Sequence, residues 1–253
     1  MMLEYKASMA VRAGLYHKTH GMSCQDRVAV HRENGVVCVA LADGAGSREH
    51  SAVGAELVTQ HIVKLLCQNF REVQDMADTS AVHWLIDSCI QKLLQLEHPL
   101  RELACTLLFF AAQEDGTFLS GHLGDGIQIS IKHRVAEVFS LPENGEYQNE
   151  TYFITGQDAA DHLRMQKGTL SESGGLLMMS DGMAESLYQR RTGRLASACQ
   201  QMVQWLQEGE ETAISQALEN NMERIFSKHS EDDLSLVLLT WNEAPHKGER
   251  SNG

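Results

Sequence analysis

The chain has 253 residues, of which 43% are hydrophobic and 22% are charged, and this globular composition excludes a disordered or fibrous protein. Its 21 basic and 34 acidic residues give a formal net charge of −13, which disfavours binding to nucleic acid or to anionic membranes. We expect a cytoplasmic protein, because the sequence shows no secretory signal and its six cysteines form no Cys-x-x-Cys pair. A cation is a plausible partner wherever carboxylates converge.

The first third of the chain predicts strands. Tyr5–Leu15 mixes small and apolar residues, and Arg27–Arg32 alternates as a half-buried strand does. Asn34-Gly35 predicts a hairpin turn, because both residues tolerate a positive φ. Val36–Ala42 is continuously apolar and predicts a strand that is covered on both faces.

The remaining elements alternate in blocks. The periodicity predicts helices over Ser51–Phe70, Thr79–Leu96, Arg194–Gln207 and Thr212–Phe226, and strands over Cys105–Ala112, Thr117–Leu123, Ile127–Ile131, Val135–Leu141, Leu176–Ser180 and Leu234–Trp241. Strands and pairs of helices in this order do not form regular β-α-β units, which disfavours a doubly wound parallel sheet. The order favours an α+β fold of stacked, largely antiparallel sheets that are covered by helices.

Aspartates recur at the ends of the apolar strands. Asp43, Asp125 and Asp181 each precede a glycine, while Asp26 and Asp232 precede strands. Any one Asp-Gly pair is most simply a turn. As a set, carboxylates on one rim of a sheet assembly would repel and raise one another's pKa values unless cations neutralised them. Oxygen ligands suit Mg²⁺ or Mn²⁺ better than zinc.

Six short motifs carry a family resemblance. They are C-Q-D-R (Cys24–Arg27), L-A-D-G-A-G (Leu41–Gly46), C-T-L-L (Cys105–Leu108), G-D-G (Gly124–Gly126), M-S-D-G-M (Met179–Met183) and D-D-L-S (Asp232–Ser235). In this order they resemble the metal-dependent type 2C protein phosphatases, the PPM family. The segment H-K-T-H-G-M-S-C-Q-D resembles a bacterial subgroup of that family.

The resemblance implies a fold and a domain plan. The fold is a four-layer αββα sandwich, in which two largely antiparallel sheets are flanked by helices. Residues 1–241 would form the catalytic domain and residues 242–253 a flexible tail. Residues 142–173 occupy the place of the family's flap, a segment that we expect to shape substrate choice, although a plain surface excursion is nearly as good a reading.

The resemblance also implies a binuclear Mg²⁺ or Mn²⁺ centre. Its residues would be Asp26, Asp43, Gly44, Asp125, Asp181 and Asp232. Asp43 would bridge two ions, and Asp181 and Asp232 would complete the catalytic set. Gly44 would offer its carbonyl and Asp26 would act through water. Asp125 would hold a third, weaker ion together with Asp181.

The sequence departs from the family pattern near Asp26. Gln25 stands in place of a glutamate, and Ala45 stands where many members have a histidine proposed as general acid. No arginine shortly precedes Asp26, so the usual phosphate clamp is missing. The candidates to replace it are His17, Lys18 and His20, which we expect in a polar loop.

The predicted function is therefore hydrolysis of phosphoserine and phosphothreonine by a water that two metal ions activate. The implied partners are a phosphorylated protein substrate and a cognate Ser/Thr kinase. One alternative is a pseudophosphatase that binds a phosphoprotein or a kinase as a regulator. Another is a metal-buffering or purely structural module. No covalent intermediate is needed, so neither Cys24 nor Cys105 is assigned as a nucleophile.

Overall fold

The structure, a computed structural model, describes residues 2–143, 151–170, 172–228 and 230–244. The strands in these ranges are Leu3–Arg12 (β1), Arg27–Glu33 (β2), Val36–Ala42 (β3), Leu107–Gln113 (β4), Thr117–Leu123 (β5), Ile127–Lys132 (β6), Val135–Ser140 (β7), Arg164–Thr169 (β8), Gly174–Met179 (β9), Tyr188–Gln189 (β10), Arg194–Leu195 (β11) and Leu234–Glu243 (β12). The helices are Leu15–His20 (α1), Ser51–Asp75 (α2), Asp78–Leu93 (α3), Ala159–His162 (α4), Asp181–Leu187 (α5), Ala198–Glu208 (α6) and Glu211–Arg224 (α7). Short 3₁₀ turns cover Leu100–Leu103 and Phe226–Lys228.

Two five-stranded sheets form the centre of the molecule. The first has the strand order β1-β12-β9-β6-β7 and the second the order β2-β3-β4-β5-β8. Every neighbouring pair within both sheets is antiparallel. Helices α6 and α7 pack on the outer face of the first sheet, and α2 and α3 cover the second. The predicted αββα sandwich is confirmed.

The alternation of side chains along the buried strands produces these layers. In β3 the odd-numbered residues lie between the sheets in one core with Phe110 and Trp241, and the even-numbered residues pack against the cluster under α2 and α3. In β12 the odd-numbered residues from Val237 to Trp241 join the same central core, and the even-numbered leucines face α6 and α7. A strand that is apolar at every position is therefore one that lies between two apolar layers.

Helix α2 is longer than its pattern predicts. The prediction ends at Phe70, whereas the helix continues to Asp75 through a kink at Asn69 (φ −121°, ψ 20°). At this kink the side-chain amide of Asn69 donates to the carbonyl of Leu65 at 2.9 Å, a side-chain-to-backbone bond of the kind that bends helices. None of the helices in the described residues combines the length and the apolarity that a bilayer crossing requires.

The predicted flap, residues 142–173, lies partly outside the described residues, which omit 144–150 and Ser171. Its described part includes α4 and β8. Strand β8 pairs with β5 from Thr117–Thr169 to His122–Arg164 and completes the second sheet. Its sequence R-M-Q-K-G-T is polar and partly exposed, as suits an edge strand, and therefore lacks the apolar run that reveals a central one. The role of this segment as a flap stays a prediction.

Two segments near the ends of the chain differ from their predicted structure. Strand β12 runs to Glu243, which pairs with Leu3, so the first residues of the predicted tail 242–253 belong to the first sheet. Residues 245–253 lie outside the described residues. After β1 the chain forms α1 in place of the predicted polar loop, and Gly21 ends this helix with a φ of +66°.

Candidate metal centre

The ends of several strands meet at one rim of the sandwich. The β2–β3 ladder ends with the pair Arg27–Ala42. Asp26 and Asp43 are the next residues outward on the two neighbouring strands, so the register places them side by side. This arrangement follows from the hairpin at Asn34-Gly35, whose residues adopt φ values of 55° and 73° as the prediction requires.

Asp125 and Asp181 reach the same rim from the first sheet. Strand β6 begins at Ile127 opposite Met179, the last residue of β9, and Asp181 opens α5 two residues later. Asp125 lies in the connection from β5 of the second sheet to β6 of the first sheet. The Asp-Gly pair at Asp125 suits a hairpin, but here it makes a crossover between sheets.

Three carboxylates converge at this rim. One oxygen each from Asp43, Asp125 and Asp181 lie within 4.8 Å of one another, and no histidine or cysteine joins this group in the described part of the chain. All three side chains are partly buried. Asp232 stands beside them, since its charge raises the pKa of both Asp43 and Asp181.

The cluster shifts the protonation of its own members. Burial, followed by the charges of Asp26, Asp181, Asp232 and Asp125, raises the pKa of Asp43 well above its usual range. Burial and then Asp125 and Asp232 raise the pKa of Asp181 to about 7. Acidic groups at these positions hold protons near neutral pH unless positive charge compensates them.

Asp26 is the most buried aspartate of the predicted ligand set. It is fully buried, and neither of its oxygens has a hydrogen-bond partner within 3.5 Å in the described residues. Burial is the main reason that its pKa rises to about 7, with Asp233 and Asp181 adding to the effect and the hydroxyls of Ser235 and Ser180 opposing it. A buried and unpaired carboxylate of this kind is costly for a fold unless a ligand uses it.

Asp233 forms hydrogen bonds that hold the loop containing Asp26 in place. Its Oδ1 accepts the backbone N–H of Gly14 at 2.8 Å and bonds to His17 Nδ1 at 2.8 Å, while its Oδ2 accepts the N–H of Gln25 at 2.6 Å. Asp233 belongs to the D-D-L-S motif, from which the sequence alone assigns it no role. Its position one residue before a buried strand is a signal that the side chain faces the protein interior.

Two further contacts fix the backbone around Asp43. Thr106 accepts the N–H of Asp43 on its hydroxyl at 2.9 Å and donates its own N–H to the Asp43 carbonyl at 2.8 Å. A Cβ on Gly44 would lie 2.9 Å from the carbonyl oxygen of Gln25 and 3.0 Å from Ser51, so the close approach of these loops requires glycine. Thr106 was also missed as a site residue, although it lies in the C-T-L-L motif.

Comparisons with known proteins agree with this geometry. The family model described as protein phosphatase 2C matches residues 13–223. The chain belongs to the protein phosphatase 2C family. It is therefore an enzyme of the phosphoprotein phosphatase class. The family model's match ends before Asp232. The position of Asp232 beside the cluster is known from the structure alone.

Individual relatives of this phosphatase are distant in sequence. It is 24% identical over 262 residues to serine/threonine-protein phosphatase 3 of Escherichia coli K12, covering 95% of this chain and 100% of that protein. The serine/threonine phosphatase of S. agalactiae matches with a TM-score of 0.67 at 14% identity, covering 93% and 99% of the two chains. The catalytic domain of PstP, solved with two manganese ions, matches with a TM-score of 0.65 at 15% identity, covering 96% and 99%.

The structure separates the three basic residues predicted to bind phosphate. His17 is buried in α1 against Asp233. Burial raises the pKa of Asp232, and the interaction with His17 opposes this rise. Lys18 and His20 are exposed. The rings of His20 and Tyr16 lie tilted against each other with centroids 4.2 Å apart, and His20 Nδ1 lies 2.8 Å from the Tyr16 carbonyl oxygen. The expectation that His17 lies in a polar loop is wrong, because His17 lies in α1 and its ring is buried in a hydrogen bond to the Asp233 carboxylate.

Other potentially reactive groups near the rim are inert in this phosphatase. Burial, and then the charge of Arg164, lowers the pKa of His122 to about 3, and its two ring nitrogens bond to Ser140 and the Gly124 carbonyl. Burial raises the pKa of the Cys24 thiol far above neutrality, and it does the same for Cys105. Thiols held in the neutral form are poor nucleophiles, which agrees with their exclusion from the chemistry.

The raised pKa values predict how stability depends on pH when no metal is bound. The folded chain keeps protons on Asp26 and Asp181 up to about pH 7, whereas the unfolded chain releases them near its ordinary pKa of about 4. The free energy of unfolding therefore falls as the pH rises through this window. In chelator, we expect the melting temperature to drop between pH 5 and pH 8, and we expect saturating Mn²⁺ to reverse the drop.

Asp26→Asn should flatten this pH dependence, because it removes one of the groups responsible. Asp115→Asn is the matched control, since Asp115 is an exposed turn residue whose pKa is lowered by its bonds to Thr117. Circular dichroism melts at four pH values measure the effect. A melting temperature that rises with pH in chelator, or an unchanged slope in Asp26→Asn, would contradict the account.

Proposed function

We propose that this chain is a protein serine/threonine phosphatase that works with two divalent cations. The observation that carries the proposal is the meeting of Asp43, Asp125 and Asp181 within 4.8 Å at one rim. The buried and unpaired Asp26 supports it independently. The relative named serine/threonine-protein phosphatase 3 supports the choice of phosphoserine and phosphothreonine.

The donor atoms fit Mg²⁺ or Mn²⁺. Carboxylate and carbonyl oxygens are the ligands that these hard ions prefer, and the three-carboxylate group contains neither the sulfur nor the imidazole typical of a zinc site. The proposed ligands are Asp43, Asp181, Asp232 and the carbonyl of Gly44. Asp26 would act through water. Asp125 would help to hold a third, weaker ion together with Asp181.

Each group has a separate task in the proposed reaction. Two ions held by the aspartates would supply a water of lowered pKa for in-line attack on phosphorus and would offset charge on the phosphoryl oxygens. The Asp181 carboxylate accepts the N–H of Gly182 at 2.6 Å, and Thr106 holds the backbone of Asp43. These contacts position the two residues before substrate arrives. Of the three candidate basic residues, His17 is the one held by Asp233 and interacting with Asp232, so it would meet the phosphate or protonate the leaving oxygen.

A pseudophosphatase that regulates a phosphoprotein or kinase is the second candidate. Gln25, Ala45 and the missing arginine before Asp26 motivate it. Gln25 still has a structural role, because its amide donates to the Arg48 carbonyl at 3.3 Å and its backbone N–H bonds to Asp233. The aspartates of the rim are all present, which favours the enzyme. A metal-buffering module would explain the carboxylates but not the family match.

The proposed function implies a protein substrate and a kinase partner, and we also propose a cellular location. The substrate would be a phosphorylated protein, and a cognate Ser/Thr kinase would produce it. A cytoplasmic location agrees with the unpaired cysteines, because the described thiols form no disulfide.

Metal-dependent turnover tests this function directly. The protein would be offered p-nitrophenyl phosphate and a phosphothreonine peptide with Mn²⁺, with Mg²⁺ and with chelator. Asp43→Asn and Asp181→Asn should each lower kcat by at least about 100-fold, because each removes a ligand charge that would hold the cations that stabilise the transition state. Asp115→Asn should remain active. Phosphopeptide binding without turnover in the unmodified chain would favour the pseudophosphatase.

Asp125→Ala should separate turnover from tight metal binding. The Asp125 carboxylate accepts the hydroxyl of Thr151 and faces Asp43 and Asp181 from the crossover loop. If it serves a weaker third ion, the variant should lose turnover while calorimetric Mn²⁺ titration still shows the tight sites. Thr151→Val is the matched control for loss of the loop contact alone. Equal loss of turnover and tight binding in Asp125→Ala would show that Asp125 belongs to the primary pair.

A further inference from the structure

A short two-stranded hairpin follows the helix that begins with Asp181. Tyr188–Gln189 pairs with Arg194–Leu195, and the turn between them reads R-R-T-G. We call residues 188–195 the arginine hairpin. All residues from 189 to 194 are exposed, so three guanidinium groups, those of Arg190, Arg191 and Arg194, face solvent together.

These three arginines have no partner in the part of the chain that the structure describes. Six other arginines pair with glutamates, as Arg27 does with Glu56 at 2.8 Å and Arg164 with Glu143 at 3.1 Å. Arg71, Arg134 and Arg224 also lack an ion pair in the described residues, but they are far from one another in sequence. In a protein with a net charge of −13, a cluster of unpaired cations is a local exception to the prevailing negative charge. Such a cluster attracts a small anionic group without making the whole surface attractive to polyanions.

The hairpin is held in one shape. The N–H groups of Thr192 and Gly193 both donate to the Gln189 carbonyl, at 3.1 and 2.9 Å, and Gly193 adopts a φ of +68°. At its base, Leu187 and Tyr188 are buried in the core under α6 and α7, and Ala196 donates to the Leu187 carbonyl at 2.8 Å. A rigid backbone lowers the entropy that is lost when the arginines bind a partner.

The arginine hairpin lies close to the metal centre along the chain. Helix α5 spans seven residues between Asp181 and Leu187, a length of roughly 10 Å. Beside it lies a cleft of about 630 Å³ whose lining includes Glu185, Ser186 and Arg194. An extended peptide advances roughly 3.3 Å per residue. Three residues would therefore span the helix, and up to about six would also span the hairpin beyond it, from the reacting phosphate to the arginines.

We propose that the arginine hairpin binds acidic residues that lie about three to six positions from the phosphorylated residue of the substrate. This inference rests on the proposed phosphatase function and assigns a substrate class to it. Guanidinium groups bind carboxylates in a planar, two-point geometry that suits glutamate and aspartate. The negative charge of the rest of the surface disfavours nucleic acid and anionic lipid, which are extended polyanions, whereas a short acidic segment contacts only the hairpin.

The experiment compares two phosphothreonine peptides, one with three glutamates four to six residues from the phosphothreonine and one with glutamines at those positions. Peptides with the acidic block on either side are tested separately. The triple variant R190Q/R191Q/R194Q should raise KM for the acidic peptide roughly 5- to 20-fold at low salt, as expected for three exposed charge pairs. Its KM for the glutamine peptide and its turnover of p-nitrophenyl phosphate should stay within about twofold of the unmodified enzyme.

The matched control is R71Q/R134Q/R224Q, which removes three exposed arginines far from one another in sequence and changes the net charge equally. It should leave the preference for the acidic peptide intact. Fluorescence anisotropy with the unphosphorylated acidic peptide gives a readout that needs no turnover, so it decides the inference even if the proposed function fails in the Mn²⁺ assay.

Three outcomes would overturn the inference. The first is equal KM for the two peptides in the unmodified enzyme. The second is an equal loss in the control triple variant. The third is that the hairpin variant loses binding to anionic vesicles or to an oligonucleotide while its peptide binding is unchanged.

Discussion

Carboxylates held at one end of a β-sandwich repel one another, and the rest of the structure is arranged to hold them there nonetheless. The register of β2 and β3 places Asp26 beside Asp43, and the crossover from β5 to β6 carries Asp125 to the same rim. Burial removes the water that would otherwise screen these charges. The fold thus holds a site whose stability without a counter-ion decreases as its acids ionise.

The loops around the site are locked to one another by contacts that only glycine permits. A Cβ on Gly14 would lie 2.1 Å from the Asp232 carbonyl oxygen, and a Cβ on Gly182 would lie 2.3 Å from that of Asp233. The backbones of the segments after β1 and β9 therefore pack closely against the segment before β12. The Asp233 carboxylate also joins the segment before β12 to Gly14 and His17 after β1 and to Gln25 before β2 through three hydrogen bonds. Chain regions more than 200 residues apart in sequence therefore act as one rigid support for the aspartates.

Most of the fold could be predicted from the sequence, because the central strands have a recognisable pattern of apolar residues. Val36–Ala42 and Thr117–Leu123 were predicted with the bounds that the structure shows, since each is apolar or regularly patterned along its whole length. The polar edge strand Arg164–Thr169 and the helix Leu15–His20 were missed, because neither carries an apolar period of its own. Both form through contacts with distant segments that no local pattern encodes.

Long-range contacts also limited what the sequence could predict about the site. Asp43, Asp125 and Asp181 could be singled out because each precedes a glycine, and Asp26 and Asp232 because each precedes a strand. All five lie at or beside one rim. Asp233 and Thr106 could not be assigned roles, because their importance comes from hydrogen bonds to residues far away in sequence. The burial of His17 depends on Asp233 for the same reason.

A crystal structure determined after soaking with Mn²⁺, with anomalous diffraction recorded at the manganese edge, tests the central claim most directly. The account predicts two strong peaks roughly 3.5–4 Å apart, with oxygens of Asp43, Asp181 and Asp232 as ligands. It also predicts that the Asp26 carboxylate approaches one of them through water. Manganese bound only at surface carboxylates, with the Asp43, Asp125 and Asp181 cluster empty at saturating Mn²⁺, would contradict it.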